Sequence, residues 1–198
     1  EVDKDRLFAN NEVHDMAVAI GIDPHGPNDT VDLSGLRYGK ICILSDADVD
    51  GSHIQVLLLT LFYKHFPRLI EAGHIYIARP PLFRVDVPAR GKKLAQKVYC
   101  LDMDELTRIQ DKLLKDGMKE SAWQVSRFKG LGEMNAEQLW DTTMNPDTRR
   151  LAQVGLQTEF VADDAQSKSI MHMLMGKTEA ASRRAWLEEK GNLADADI

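Results

Sequence analysis

Cysteine is almost missing from this chain: 198 residues hold two, Cys42 and Cys100. Both sit in apolar, strand-like runs, which excludes a disulfide framework and predicts two buried thiols in a reducing, cytoplasmic setting. Long apolar runs are missing as well. No segment reaches the roughly 18 apolar residues of a membrane-spanning helix, and nothing reads as a signal peptide. Positive charge is not in excess, since 25 Lys and Arg face 31 Asp and Glu for a formal charge of -6. That balance argues against general adhesion to nucleic acid or anionic membrane and leaves only a local basic groove open. The chain begins Glu1-Val2-Asp3-Lys4 without an initiator Met, so a piece of something longer is expected. The remainder, 43% hydrophobic and 28% charged, is that of a globular domain with an appendage.

What is present in force is acid. The run D-A-D-V-D-G at 46–51 follows the apolar stretch Ile41-Cys42-Ile43-Leu44. On an extended backbone, alternate positions project to one side, which would bring Asp46, Asp48 and Asp50 together. Like charges so close repel, and a divalent cation relieves the repulsion. Oxygen donors without His or thiolate favour a hard ion, Mg2+ foremost. Ser52 with Gln55 three residues on forms a capping-box pattern, predicting a helix from there to about Phe66. Its N-terminal amides and dipole would face the acids and any phosphate held there. With Ile54, Val56, Leu57, Leu58, Leu59, Leu61, Phe62 and Phe66, it reads as buried on all sides.

Three other readings compete. An EF-hand loop needs a Glu at its twelfth position, where this chain has Leu57, and a helix in front rather than a strand. An aspartyl-phosphate phosphatase would use the first Asp as nucleophile, but Asp50 departs from its pattern. A solvated acidic turn could simply cap the helix, yet three acids exceed what capping requires.

Along the chain, Val13, Met16, Ala17 and Ile20 predict a helix over 11–20 that ends at Gly21. A turn-rich loop occupies 23–28. A strand is expected over 74–78, broken by Pro80-Pro81, followed by an exposed basic loop over 88–93 and a strand over 97–101. Asp102 with Glu105 caps a helix reaching Gly117. The alternation is βαβ-like with hairpin insertions, hence an α/β sheet.

A second segment, R-F-K-G-L-G-E-M-N at 127–135, follows a strand at 123–125. Two glycines between cations, with Asn135 and Gln138 in capping positions, would let backbone approach a phosphate while Arg127 and Lys129 neutralise it. Plain turn geometry accounts for a Gly-x-Gly equally well. Arg149 and Arg150 add two cations at the turn over 145–150.

These runs, with Q-L-W-D-T-T-M-N-P at 138–146 and R-R-A-W-L-E-E-K-G at 183–191, resemble the Toprim region and C-terminal tail of the B subunits of bacterial type IIA topoisomerases. Within that family the pattern is most similar to the topoisomerase IV branch. It lacks the Toprim insertion of many gyrase B subunits; a gyrase B Toprim region and a solitary Toprim nuclease are the alternatives. The resemblance implies a Toprim-type, Rossmann-like parallel sheet flanked by helices, with a Toprim metal-binding domain over 1–150 whose N-terminal part is missing. A strand and helical tail over 151–198 would contact the A subunit.

The resemblance further implies that Asp46 and Asp48, with Asp50 as a third acid, are catalytic and hold Mg2+, while Arg127, Lys129, His53, Arg149 and Arg150 meet double-stranded DNA. In the family a Tyr of the topoisomerase IV A subunit attacks DNA within an A2B2 heterotetramer, driven by ATP bound to an N-terminal domain that this stretch does not contain. The family's E-G-D-S-A motif is also absent, and Glu133 is the one motif-borne Glu that could stand in, although it suits a helix start better. The stretch by itself is therefore expected neither to cleave DNA nor to hydrolyse ATP. Tyr38, Tyr63, Tyr76, Tyr99, Trp140 and Trp186 are expected to pack. Met171, Met173 and Met175 suit core or interface, and a helix over 178–190 offers Ala181, Ala185 and Leu187 to the A subunit.

Overall fold

The structure, a computed structural model, describes residues 6–7, 9–91, 93–156 and 164–193. The start of the chain, Lys92 of the basic loop and part of the expected 151–198 tail lie outside the described residues. In chain order the elements are α1 (Asn11–Ile20), β1 (Ile41–Ile43), α2 (Val49–His65), α3 (Pro67–Glu71), β2 (Ile75–Ala78), β3 (Phe83–Val87) and β4 (Gln96–Cys100). Then come α4 (Met103–Lys115), β5 (Gln124–Arg127), α5 (Ala136–Leu139), β6 (Leu151–Gln153), α6 (Asp164–Met175) and α7 (Ala180–Lys190). They form two compact units, one from 1–41, 59–74 and 154–198, the other from 42–58 and 75–153.

In the first unit, α1 has the predicted bounds because both stop signals are local. Asn10 accepts the Val13 N–H at 3.0 Å, and Gly21, at φ 83, donates its own N–H to the Ala17 carbonyl. Pro67 opens α3, where a missing N–H costs nothing. Phe62, Phe66, Leu69 and Ile70 are buried. His25, in the loop read only as turn-rich, is buried too. Its Nδ1 meets the Asp23 carbonyl at 2.9 Å and its Nε2 accepts the Arg68 N–H at 3.2 Å, so the neutral ring with its proton on Nδ1 satisfies both. In the tail, Arg183 donates from Nη1 to the carbonyls of Met173, Leu174 and Gly176, closing the C-terminal end of α6. Trp186 and Leu187 are exposed rather than packed, and so are Ala181 and Ala185, because α7 meets few neighbours on that side among the described residues.

The second unit holds two three-stranded sheets, ordered β1-β2-β6 and β4-β3-β5. The first contains the expected parallel element, with β1 and β2 joined through a helical crossover. Strand β6 closes its other side antiparallel to β2, pairing Ile77 with Ala152. The second sheet is an antiparallel insertion. Strand β3 was not anticipated by the sequence pattern, yet it is the central one, pairing Val85 with Val98 of β4 and Val125 of β5. Its inward residues Phe83 and Val85 join Cys100, Leu106 of α4 and Trp123 in one core. Burying each of the large side chains contributes about 1.5–3 kcal/mol. Helix α4 is set by Asp102, which accepts the Glu105 N–H, and by Glu105, which takes the Leu101 N–H at 2.9 Å.

Four expectations change. Cys42 is exposed, because Ile43 points inward and a strand alternates its faces. Helix α2 starts at Val49 rather than Ser52. Nor is it buried all round, since Ile54, Val56 and Leu57 are exposed; an apolar surface does not by itself supply a neighbour. Trp140 and Tyr38 are likewise exposed, so neither anchors packing among the described residues.

Candidate metal and nucleic-acid site

Strand β1 delivers the chain to Asp46, and the helix begins so soon afterwards that the three acids do not share one extended backbone. Asp48 caps α2: its Oδ1 accepts the Gly51 N–H at 2.7 Å and its carbonyl accepts the Ser52 N–H at 3.0 Å. Asp50 is already in the first helical turn. The alternation read from the sequence therefore fails at its third member. All three carboxylates are exposed, and among the described residues no salt bridge neutralises any of them. Among the described residues no group of three or more His, Cys, Asp or Glu is gathered closely enough to hold a metal ion.

Gly51 is what lets the turn close. A Cβ there would lie 2.8 Å from the carbonyl carbon of Asp46 and 2.9 Å from its amide nitrogen, so a side chain would push the first acid aside.

The second motif arrives from β5 and meets the first directly. Leu131 donates its backbone N–H to Asp46 Oδ1 at 2.7 Å across 85 residues of sequence. Gly130 lies against the same carboxylate, where a Cβ would come within 3.2 Å of Oδ1. The loop is internally braced, with Lys129 N–H donating to Glu133 Oε2 at 2.9 Å. Asn135 and Gln138 form the reciprocal capping box read from the sequence, each bond 2.9 Å. Glu133 thus belongs to its own turn.

The expected DNA-facing cations divide. Lys129 and Arg127 are exposed at the loop, and His53 is exposed on α2. Arg150 is engaged with Glu105, Nη1 to Oε1 at 2.5 Å. Glu105 is held below the usual carboxylate range, first by the Leu101 N–H and then, against a small burial penalty, by Arg150. Arg149 is half-buried, with Nη1 3.5 Å from the Met144 carbonyl. Sequence reasoning missed the Leu131 amide, which no side-chain pattern announces. It also missed Arg79, a cation whose only signal was its place at the end of a strand before Pro80-Pro81.

Residues 9–80 match the Toprim domain, and residues 120–188 match the DNA gyrase B subunit, carboxyl terminus. The DNA topoisomerase 4 B subunit of Salmonella typhimurium is 48% identical over 198 residues, all of this chain and 29% of that protein. Its Pseudomonas aeruginosa counterpart is 51% identical over 195 residues, covering 98% of this chain and 28% of its own length. The DNA gyrase B subunit of Thermus thermophilus is 47% identical over 195 residues, with 98% and 28% covered. The chain thus spans under a third of the relatives it matches. With a Toprim domain whose first acid is tied to the gyrase-B-type segment behind it, the chain belongs to the bacterial type IIA topoisomerase B subunits, as their Toprim and C-terminal region.

Proposed function

We propose that this region carries part of the Mg2+ site at which a type IIA topoisomerase cleaves and reseals DNA, completed by upstream residues and by a Tyr of the A subunit. The observation that carries the reading is the Leu131 N–H on Asp46 Oδ1. One oxygen of the first acid is fixed by backbone, and the other is left without a protein partner among the described residues. Asp48 has the same arrangement, with Oδ1 on Gly51. Two oriented carboxylates and no nitrogen or sulfur donor suit Mg2+, which keeps waters and takes one or two carboxylates beside phosphate oxygens. When bound there, the ion would stabilise negative charge on the attacked phosphate and the departing ribose oxygen.

The chain's own part in this mechanism is orientation and charge. Asp46 and Asp48 hold their free oxygens outward, the Leu131 amide and Gly130 keep the first carboxylate in place, and Gly51 permits the tight turn. Lys129 and Arg127 bring positive charge to the loop beside the acids, offsetting them where a duplex backbone approaches. Asp50 and His53 lie on the first turns of α2, the acid beside the other two carboxylates in sequence and the imidazole where DNA would approach. Within an A2B2 heterotetramer the strand passage would be powered by ATP on the N-terminal domain of the full-length protein. The setting is the bacterial cytoplasm, with decatenation and relaxation as the outcome.

The test is Mg2+-dependent covalent cleavage of supercoiled DNA by full-length B subunit with A subunit, comparing Asp46→Ala and Asp48→Ala with wild type. Collapse of cleavage while the complex still assembles supports the reading; cleavage that survives sinks it, and cutting by the B subunit without its partner would favour a solitary nuclease. The 47% identity to a gyrase B subunit supports a second branch. ATP-driven introduction of negative supercoils would assign the chain to it.

A further inference from the structure

We propose that Arg79 is a positioning residue for DNA, holding a backbone phosphodiester next to the Asp46 edge. The inference rests on the cleavage-site reading and extends it to a residue outside both motifs.

Arg79 is the residue after β2, and its backbone is fixed from three directions. Ala78 is buried and paired with Leu151, Arg79 N–H donates to the Arg150 carbonyl at 2.9 Å, and Pro80-Pro81 follow with their dihedrals restricted. The base of the side chain is thereby set beside the Asp46 edge, while its flexible stem leaves the guanidinium free to reach a phosphate. It lines a cavity of about 430 Å³ whose walls include Asp46, Ser52 and Gln55. It also lines a neighbouring cavity of about 460 Å³ that holds Lys97, Tyr99 and Arg150.

The neighbouring charges make Arg79 distinctive. Arg150 is neutralised by Glu105, whose other oxygen is taken by the Leu101 N–H. Arg84 is spent on Asp86 at 2.7 Å. Arg79 is exposed, and its guanidinium makes no hydrogen bond or ion pair among the described residues, although Asp46 and Asp141 line the same two cavities. A guanidinium presents a planar fork matched to phosphate oxygens. A duplex backbone reaching the Asp46 edge would meet that fork in the cavity they share. Lys97 lines the neighbouring cavity with it and would offer a second phosphate a cation.

The experiment uses full-length B subunit assembled with A subunit. Duplex affinity is measured between about 50 and 200 mM salt for wild type, Arg79→Ala, Arg79→Lys and Lys115→Ala, the last removing a cation from the end of α4; each neutralised phosphate contributes about 0.9 to the log–log slope. The proposal expects Arg79→Ala to flatten the slope by about that amount, Arg79→Lys to restore most of it, and Lys115→Ala to match wild type. A companion Asp46→Ala cleavage assay separates the two layers. If Asp46→Ala abolishes cleavage while Arg79→Ala leaves the salt slope unchanged, the Arg79 assignment is wrong and the cleavage-site reading stands. An unchanged slope with a lowered Mg2+ requirement would identify Arg79 as a screen for Asp46, which also overturns the proposal. Normal cleavage by Asp46→Ala removes both layers.

Discussion

The bond between Leu131 and Asp46 can be deleted without deleting either side chain's neighbourhood. Leu131 is the first residue of a short 3-10 turn at Leu131–Glu133, and Gly130 before it is extended, at φ -162 and ψ 169. Proline is tolerated at a first helical position and favours an extended residue before it. Leu131→Pro therefore suits the backbone while removing the N–H that Asp46 Oδ1 accepts at 2.7 Å. A hydrogen bond to a charged acceptor contributes about 1.5–3 kcal/mol when buried. Asp46 is exposed, which puts the stability cost below that range, at about 1 kcal/mol. The effect on function should be larger, because losing the partner that orients a metal ligand typically costs about 10–100-fold in affinity or activity. Leu131→Ala is the control, since it keeps the amide and loses only a half-buried side chain. The assay is Mg2+-titrated DNA cleavage by the complete enzyme, with urea unfolding alongside. Equal cleavage by Leu131→Pro and Leu131→Ala at all Mg2+ concentrations would refute the claim that this amide sets the carboxylate.

Other outcomes follow from separate observations. Gly51→Ala would ordinarily favour a helix by up to about 1 kcal/mol, but here the Cβ meets Asp46 backbone, so a net destabilisation of about 1–3 kcal/mol is expected and thermal unfolding should register it. A neutral or stabilising result would show that the turn has room. Removing the Glu105 charge with Glu105→Gln should cost about 1 kcal/mol near neutrality. Because the folded carboxyl titrates below its unfolded value, wild type holds this advantage above the ordinary carboxylate range and loses it as pH falls through the depressed value. The two proteins should converge in urea stability at acid pH, and divergence there would contradict the sign. Thiol labelling under native conditions should modify exposed Cys42 alone, with Cys100 reacting only on unfolding, since it is fully buried and burial raises its thiol pKa.

What the sequence made legible was local. The end of helix α1 was legible because Gly21 is a stop signal within the helix's own reach, and the Asn135–Gln138 capping box is equally self-contained. The acidic run and the glycine loop were each visible, and the Toprim architecture, which the domain match bears out, came from their resemblance to the type IIA topoisomerase B subunits. Their union was not visible, because an amide 85 residues away leaves no trace in side-chain spacing. The start of α2 was misplaced because Ser52 and Asp48 are both good caps by residue type, and the choice falls to Asp48, whose carboxylate accepts the Gly51 N–H. Exposure of Ile54, Val56 and Leu57 was unreadable for a different reason: periodicity reports which face could be buried, while the neighbour that would bury it is a tertiary matter. Cys42 was readable in principle from the alternation of Ile41, Cys42 and Ile43, which a count of apolar residues ignores.

The two glycines of the second motif clarify what that loop is built for. Neither has a positive φ, so left-handed geometry is not the reason for either. Gly130 is held by approach, since a Cβ there would crowd the Asp46 carboxylate at 3.2 Å, whereas a Cβ at Gly132 would meet nothing within 4 Å. A phosphate-cradling loop would turn consecutive amides outward toward its ligand. Here the Leu131 amide turns to Asp46 and the Lys129 amide to Glu133, so two of the donors that such a cradle would use are already occupied by protein acids. The loop's backbone therefore serves the carboxylate, and the proposed DNA contact falls to side-chain charge on Arg127 and Lys129. On the proposed reading that division accounts for the cations that flank the glycines: the acid needs an amide to orient it, and a polyanion brought to the same place would need positive charge within a Debye length to offset the acids already there.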